Sequence, residues 1–216
     1  SLRVRWVAPG ENLGQPDAVI LPGSKQTLRD LQALRSSGLE LQLRTYVEHG
    51  GSLLAICGGM QMLGQKLEDP EDLEGGEGNG PWQGMGLLPI STRFGGSKTL
   101  RQRRVQAHWP APTQLDGFEL HRGETVADST LRQLCNDSGL GWWMQSAAGG
   151  DIVGTYLHGL LDNGPWRRHW LNCLRERRGL SPLSIERMHH GEHRNQLLER
   201  LANAFEEHMN LGPLLN

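Results

Sequence analysis

The strongest constraint on the fold is a short apolar run, residues 52–56, that leads into a cysteine framed by glycines (S-L-L-A-I-C-G-G-M-Q-M-L-G). Four or five apolar residues bounded by glycine predict a buried strand, and the pattern after Cys57 predicts the first turn of a helix. A cysteine on such a turn stands above the carboxyl edge of a sheet, where the helix N-terminus favours a thiolate. Cys57 is therefore either a nucleophile or a small buried apolar residue, the commoner role of a lone cysteine.

The segments before Cys57 predict an α/β fold. Residues 17–21 form a second apolar run. Two amphipathic helices follow it, one opened by a Thr27–Asp30 capping box and one over residues 40–48. Strands alternating with helices predict a mostly parallel sheet flanked by helices, with functional sites beyond the carboxyl ends of the strands. Alternation of apolar residues with arginine over residues 2–6 predicts a further, half-exposed strand.

The second half of the chain predicts added strands and then helices. Short apolar runs separated by turn residues predict antiparallel or mixed strands at residues 85–90, 105–109, 117–121 and 141–144. The run over 152–158 predicts a strand that places His158 at its end. Two helices are predicted to close the chain, one opened by Pro165 and one beginning at Ser184.

Composition excludes several classes of function. The 216 residues carry 22 basic and 24 acidic side chains, a formal net charge of −2, so neither nucleic acid nor an anionic membrane is an expected partner. Three cysteines lie far apart, which fits a reducing compartment. No apolar run approaches the roughly 20 residues that span a bilayer, and no signal peptide is recognised, so a cytoplasmic location is expected.

Histidine is the expected partner of a cysteine nucleophile, because its pKa suits proton transfer at neutral pH. Of the nine histidines, His158 has the same setting as Cys57, at the end of an apolar strand and before a glycine. Strands of one parallel sheet end at one edge, so the two side chains are predicted to meet there. His189, His190 and His193 resemble a metal cluster, but a polar helix surface explains them better, and no metal site is predicted.

Four motifs in order resemble one family. Residues 55–61 (A-I-C-G-G-M-Q) resemble the nucleophile motif G-x-C-x-G-x-Q of class I glutamine amidotransferases. The segments 21–27, 117–123 and 154–163 are similar to the cobyric acid synthase branch of that family. The resemblance covers nearly the whole chain and implies a flavodoxin-like glutaminase fold over residues 1–216.

The resemblance implies a role for each matching residue. Cys57 attacks the side-chain amide of L-glutamine, and His158 protonates the departing ammonia and then activates water to hydrolyse the thioester. Backbone N–H groups of Gly58 and of the Gly23–Ser24 turn hold the oxyanion. Gln61 either contacts the bound glutamine or is an ordinary polar helix residue.

Two departures from the family pattern leave alternatives open. Family members usually carry H-x-E, but Gly159 and Leu160 follow His158, so the third triad member is missing from its normal place. Glu119 or Asp162 could orient the imidazole, or a partner domain could supply the group. His121 and Arg122 face either the site or the synthetase interface, or are polar residues at a strand edge. Ala55 replaces a glycine, which matters only if that position needs a positive φ.

The resemblance also implies a partner. Related glutaminase domains open with a further strand and follow an ATP-dependent synthetase domain that carries the corrinoid substrate, so we expect a fragment or a separately encoded subunit. No P-loop motif G-x-x-x-x-G-K-[ST] occurs here. We therefore expect no cofactor in this chain, and ATP and Mg²⁺ only in the synthetase domain.

Three hypotheses follow for the function. The first is supply of ammonia for amidation of corrin-ring carboxylates in cobyric acid formation. The second keeps the glutaminase but changes the acceptor, as in cobyrinate a,c-diamide synthase or the glutaminase that amidates a cell-wall precursor with a Mur-ligase-like partner. The third is a catalytically silent binding or regulatory domain.

Overall fold

The computed structural model describes residues 2–75, 80–186 and 189–208, without the side chain of His193. Contacts within the chain divide it into two compact units, residues 1–158 and 159–216. The first unit contains all the strands of the described chain and three helices. The second contains the remaining helices. The assignment of one domain to residues 1–216 stays a prediction.

A five-stranded sheet forms the centre of the first unit, and its strand order is β1 (Ala18–Leu21), β2 (Ser52–Ile56), β11 (Asp151–Thr155), β10 (Gly141–Gln145) and β9 (Arg132–Gln133). Strands β1, β2 and β11 are parallel, whereas β10 runs antiparallel to β11 and β9 runs antiparallel to β10. The predicted α/β fold with a parallel sheet and added antiparallel strands is confirmed. The apolar run of β2 lies between two parallel neighbours, and residues 52–55 are buried, as expected for a central parallel strand.

Two smaller sheets complete the first unit. One has the order β12 (Leu157–His158), β7 (Thr113–His121) and β6 (Thr99–Ala107), and the other has the order β4 (Trp82–Gln83), β3 (Lys66–Glu68), β5 (Ile90–Arg93) and β8 (Glu124–Ala127). Strands β6 and β7 form a long antiparallel hairpin. Strand β12 pairs with the end of this hairpin, Leu157 opposite Glu119 and His158 opposite Phe118.

The helices of the first unit are α1 (Thr27–Ser36), α2 (Leu39–Glu48) and α3 (Gly58–Leu63). Those of the second unit are α4 (Gly164–Arg177), with Pro165 in its first turn, and α5 (His190–His208), after a 3₁₀ turn at Leu160–Asp162. No described helix has the length and apolar character needed to cross a membrane.

Several local predictions are wrong. Residues 2–6 belong to no described strand, and Leu2, Val4 and Trp6 are exposed, because alternation alone makes no strand without a neighbour to hydrogen-bond. The Thr27–Asp30 capping box does not form. The Thr27 N–H instead donates to the buried Glu74 carboxylate at 2.9 Å.

Two further predicted elements begin or end elsewhere. The strand predicted over 152–158 is interrupted at Tyr156, because the Thr155 hydroxyl accepts the Leu157 N–H at 3.0 Å and turns the chain into β12. The last helix begins at His190 rather than Ser184. Met188, predicted to lie in that helix, is outside the described residues.

Candidate active site

The carboxyl ends of the three parallel strands build the candidate site. Strand β1 leads into the Gly23–Ser24 turn, β2 into Cys57, and β11 into the segment that ends at His158. The Cys57 N–H donates to the Thr155 carbonyl at 2.7 Å, which extends the pairing of β2 with β11 by one residue. The predicted meeting of strand ends at one edge of the sheet is confirmed.

Cys57 occupies a strained turn between strand and helix. Its φ of 51° and ψ of −115° are uncommon for a residue with a side chain. Helix α3 packs tightly behind it: a Cβ on Gly59 would lie 2.4 Å from the Leu21 carbonyl oxygen, and one on Gly154 would lie 2.4 Å from Cγ of Met60. A side chain at either position would collide with these atoms, so the two glycines allow α3 to pack this closely.

Cys57 and His158 share one hydrogen-bond acceptor. The Cys57 thiol donates to the main-chain carbonyl oxygen of Leu120 at 3.3 Å, and Nε2 of His158 lies 3.2 Å from the same oxygen. Because a carbonyl oxygen only accepts, both contacts require a proton on the donor. The resting pair is therefore a neutral thiol and an imidazole protonated at Nε2.

Burial keeps the thiol protonated. It raises the pKa of Cys57 to about 11, and the Glu74 carboxylate adds to the rise, while a hydrogen bond from the Gly58 N–H lowers the pKa by less. The N–H group at the start of α3 thus acts in the expected direction, but burial outweighs it and the resting thiol stays protonated. Helix α3 has only six residues, and the cost of desolvating a thiolate exceeds its stabilisation.

The predicted oxyanion groups lie beside Cys57. A Cβ on Gly23 would be 3.6 Å from Cβ of Cys57 and 3.7 Å from Cε1 of His158. A Cβ on Gly58 would lie 2.8 Å from the Ser24 backbone nitrogen, so the turn after β1 packs directly on the start of α3. The Ser24 side chain contributes elsewhere, as its hydroxyl donates to Asp30 and accepts the Gln26 N–H.

Gln61 lies in a buried network behind Cys57. Its Nε2 donates to the Tyr156 hydroxyl at 3.0 Å and to the Arg122 carbonyl at 3.2 Å, and its Oε1 accepts from the Thr27 hydroxyl at 3.5 Å. These contacts tie α3 to α1 and to the segment before His158. They favour a structural role over the predicted contact with bound glutamine.

Glu119 and His121 pair with each other rather than with His158. Nε2 of His121 lies 2.8 Å from one Glu119 oxygen, and Nε of Arg103 donates to the other at 2.7 Å. Burial alone would raise the pKa of Glu119, but these two hydrogen bonds outweigh it and hold the pKa below its usual value. The His121 ring stacks on Tyr156 with centroids 3.7 Å apart, and its Nδ1 is buried without a hydrogen-bond partner in the described residues.

The remaining candidates are Asp162 and the histidine cluster. Asp162 ends the 3₁₀ turn of the second unit, and a role in orienting His158 stays a prediction. Within the described residues, no group of three His, Cys, Asp or Glu side chains is arranged to hold a metal. The histidine cluster near the start of α5 is only partly described, because the His193 side chain lies outside it.

Sequence reasoning missed two groups that contact His158. One is the Leu120 carbonyl, and the other is the Phe118 ring, which stacks on the imidazole at a centroid distance of 5.0 Å. Both lie in the segment 117–123, where the sequence predicts roles for the polar residues only. The alternation of side chains along β7 was the available signal, since it separates Phe118 from Glu119 and His121.

Comparison with known proteins identifies the family. The profile of the CobB/CobQ-like glutamine amidotransferase domain matches residues 1–166. The chain belongs to this family. Cobyric acid synthases of Parasynechococcus marenigrum (strain WH8102) and Synechococcus sp. (strain CC9605) are 69% and 61% identical over 215 residues, which is 100% of this chain and 43% of each relative. The chain thus spans less than half the length of these relatives.

A solved structure supports the fold of this family member. A crystal structure of a glutamine amidotransferase covers 83% of the chain with a TM-score of 0.56 at 17% identity, and the chain covers 88% of it. At this identity the likeness concerns the fold alone. The fold and the recognition of the glutamine amidotransferase family from sequence are confirmed.

Proposed function

We propose that this glutamine amidotransferase domain hydrolyses L-glutamine through a thioester on Cys57 and supplies ammonia for the amidation of corrin-ring carboxylates. The observation that carries the glutaminase part is the shared Leu120 acceptor, which holds the Cys57 thiol and His158 Nε2 side by side at the sheet edge. The names of the two similar relatives support the corrinoid acceptor.

The reaction begins when Nε2 of His158, freed of its proton by a tautomeric shift to Nδ1, takes the thiol proton of Cys57. The thiolate attacks the amide carbon, and backbone N–H groups of Gly58 and the Gly23–Ser24 turn stabilise the oxyanion. The imidazolium returns its proton to the nitrogen as the C–N bond breaks, and ammonia leaves. His158 then deprotonates water, which attacks the thioester to give glutamate and restore the thiol.

The acceptor reaction belongs to a synthetase partner. ATP and Mg²⁺ are required there to activate the carboxylate, and the proposed glutaminase steps use neither. The length of the curated relatives supports a separate synthetase part, since they are more than twice as long as this chain.

The test measures glutamate released from glutamine by the purified chain, alone and with its synthetase partner, and labelling of Cys57 by a glutamine-mimicking electrophile such as 6-diazo-5-oxo-L-norleucine. We expect activity and labelling in the wild type, and neither in Cys57→Ala. A folded chain that shows neither with the partner present is a silent binding domain. Amidation of a peptidoglycan precursor instead of a corrinoid would reassign the acceptor.

A further inference from the structure

We propose that the main-chain carbonyl of Leu120 accepts a hydrogen bond from the carboxamide N–H of bound glutamine, and that this contact selects the amide over the γ-carboxylate of glutamate. The inference deepens the function proposed above and rests on it. It assigns a specificity-determining role to a backbone atom of β7.

The position of this oxygen is fixed from two sides. Strand β12 pairs with β7 through Leu157 and His158 opposite Glu119 and Phe118. The hydrogen bond between Glu119 and His121 and the stacking of His121 on Tyr156 hold the end of β7 against the segment that leads to His158. The carbonyl oxygen therefore lies beside both reacting groups without depending on the Leu120 side chain.

The resting contacts must be exchanged before catalysis. Two donors, the Cys57 thiol and His158 Nε2, occupy the two lone pairs of the oxygen. Attack requires that the thiol lose its proton and that Nε2 be free to take it, so both donors leave the oxygen. A half-buried carbonyl without a donor is unfavourable, and a new donor is needed.

The carboxamide of glutamine is suited to supply that donor. When its carbon approaches Sγ of Cys57, its NH₂ group enters the space beside Nε2, and it carries the only hydrogen-bond donors of the reacting group. The γ-carboxylate of glutamate carries acceptors alone, and its charge would face the carbonyl dipole. The same oxygen thus favours binding of glutamine, which can donate to it, and release of glutamate, which cannot.

The test compares ligand binding in a variant that cannot react with the ligand. The affinity of the Cys57→Ala variant is measured for four ligands by competition binding. They are L-glutamine, its γ-N-methylamide, the isosteric γ-methyl ester of glutamate, and glutamate. The amide and the ester differ only in N–H against O at the reacting group. We expect both amides to bind roughly 10- to 100-fold more tightly than the ester, the usual effect of leaving a buried acceptor unpaired.

A second variant, Cys57→Ser, repeats the comparison, with circular dichroism as the check on folding. An ester that binds as well as the amides, or no preference in either variant, overturns the proposal. If the wild type still hydrolyses glutamine in that case, the proposed glutaminase function stands. If the wild type neither hydrolyses glutamine nor is labelled at Cys57, the function itself fails, and this inference fails with it.

Discussion

The imidazole of His158 lies almost parallel to the phenyl ring of Phe118, with planes inclined by 9°. The ring therefore restricts rotation of the imidazole about its side-chain bonds, a task that a carboxylate performs in triads that contain one. Losing only the group that orients a catalytic base costs less activity than losing the base itself.

Replacing Phe118 by alanine is expected to lower kcat/KM for glutamine by roughly 2- to 10-fold. This fold-change corresponds to the usual interaction free energy of an aromatic pair. Phe118→Tyr retains a flat ring and should stay close to wild type. Val126→Ala, at a side chain that is 72% exposed on β8, is the control. Unchanged kcat/KM in Phe118→Ala would show that the ring does not position His158.

Reactivity of Cys57 should rise over an unusually alkaline range. Burial raises its pKa to about 11, so the rate of alkylation by iodoacetamide should keep increasing above pH 9, where an ordinary thiol levels off. Mass spectrometry of the labelled Cys57 peptide gives the rate at each pH, with Cys57→Ala as background. A plateau below pH 9 would contradict the raised pKa.

Glu119→Gln is expected to lower the free energy of unfolding at pH 7 by about 1–2 kcal/mol, because charged hydrogen bonds to His121 and Arg103 are weakened. The pKa of Glu119 is lowered in the folded state, so its contribution is present above the unfolded pKa and is lost as pH falls below it. Urea unfolding at pH 7 and at pH 3.5 should show the difference from wild type shrinking in acid.

The matched control for that prediction lies on the same strand. Asp116 pairs with Arg104 at 2.5 Å, but both side chains are exposed, so Asp116→Asn should change stability by less than about 1 kcal/mol. Equal effects of the two substitutions would mean that burial adds nothing to the Glu119 cluster.

Tyr156→Phe tests the role of Gln61. Removing the hydroxyl leaves the Gln61 amide short of a partner, and a double-mutant cycle with Gln61→Met should give a coupling energy of about 0.5–3 kcal/mol in unfolding experiments. KM for glutamine should change little in Gln61→Met. A strongly raised KM at full stability would instead support the substrate contact predicted from sequence.

Gly59→Ala is expected to destabilise the fold by about 1–3 kcal/mol or more, since its Cβ would overlap the carbonyl oxygens of Leu21 and Pro22. Gly80→Ala is the matched control, because no atom of the described residues lies within 4 Å of a Cβ there. Thermal unfolding of both variants checks the prediction. Similar melting temperatures would show that α3 can move away from β1 without loss.

The sequence predicted best those features that depend on short-range patterns. The glycines around Cys57 indicated the turn, and the apolar runs of β2 and β11 placed Cys57 and His158 at one edge, because parallel strands end together. Strand ends were less well predicted. The break at Tyr156 depends on hydrogen bonds of Thr155 to both Leu140 and Leu157, and no residue type in the run signals it.

Contacts between distant segments could not be predicted. The Leu120 carbonyl is a backbone atom, and every residue other than proline presents the same two backbone groups, so composition gives no sign of its role. The pairing of Glu119 with Arg103 follows from the register of the β6–β7 hairpin, in which Arg103 is opposite Gly117. Such a register is set by the whole hairpin rather than by either residue.

The protonated state of Cys57 also bears on how readily the proposed nucleophile is oxidised between turnovers. Peroxide oxidises thiolates, and with a pKa of about 11 only on the order of one Cys57 in ten thousand is a thiolate at neutral pH. A protein that forms its thiolate only when substrate arrives spends little time in the vulnerable state. In the proposed reaction, the burial that slows the first proton transfer therefore also slows oxidation of Cys57.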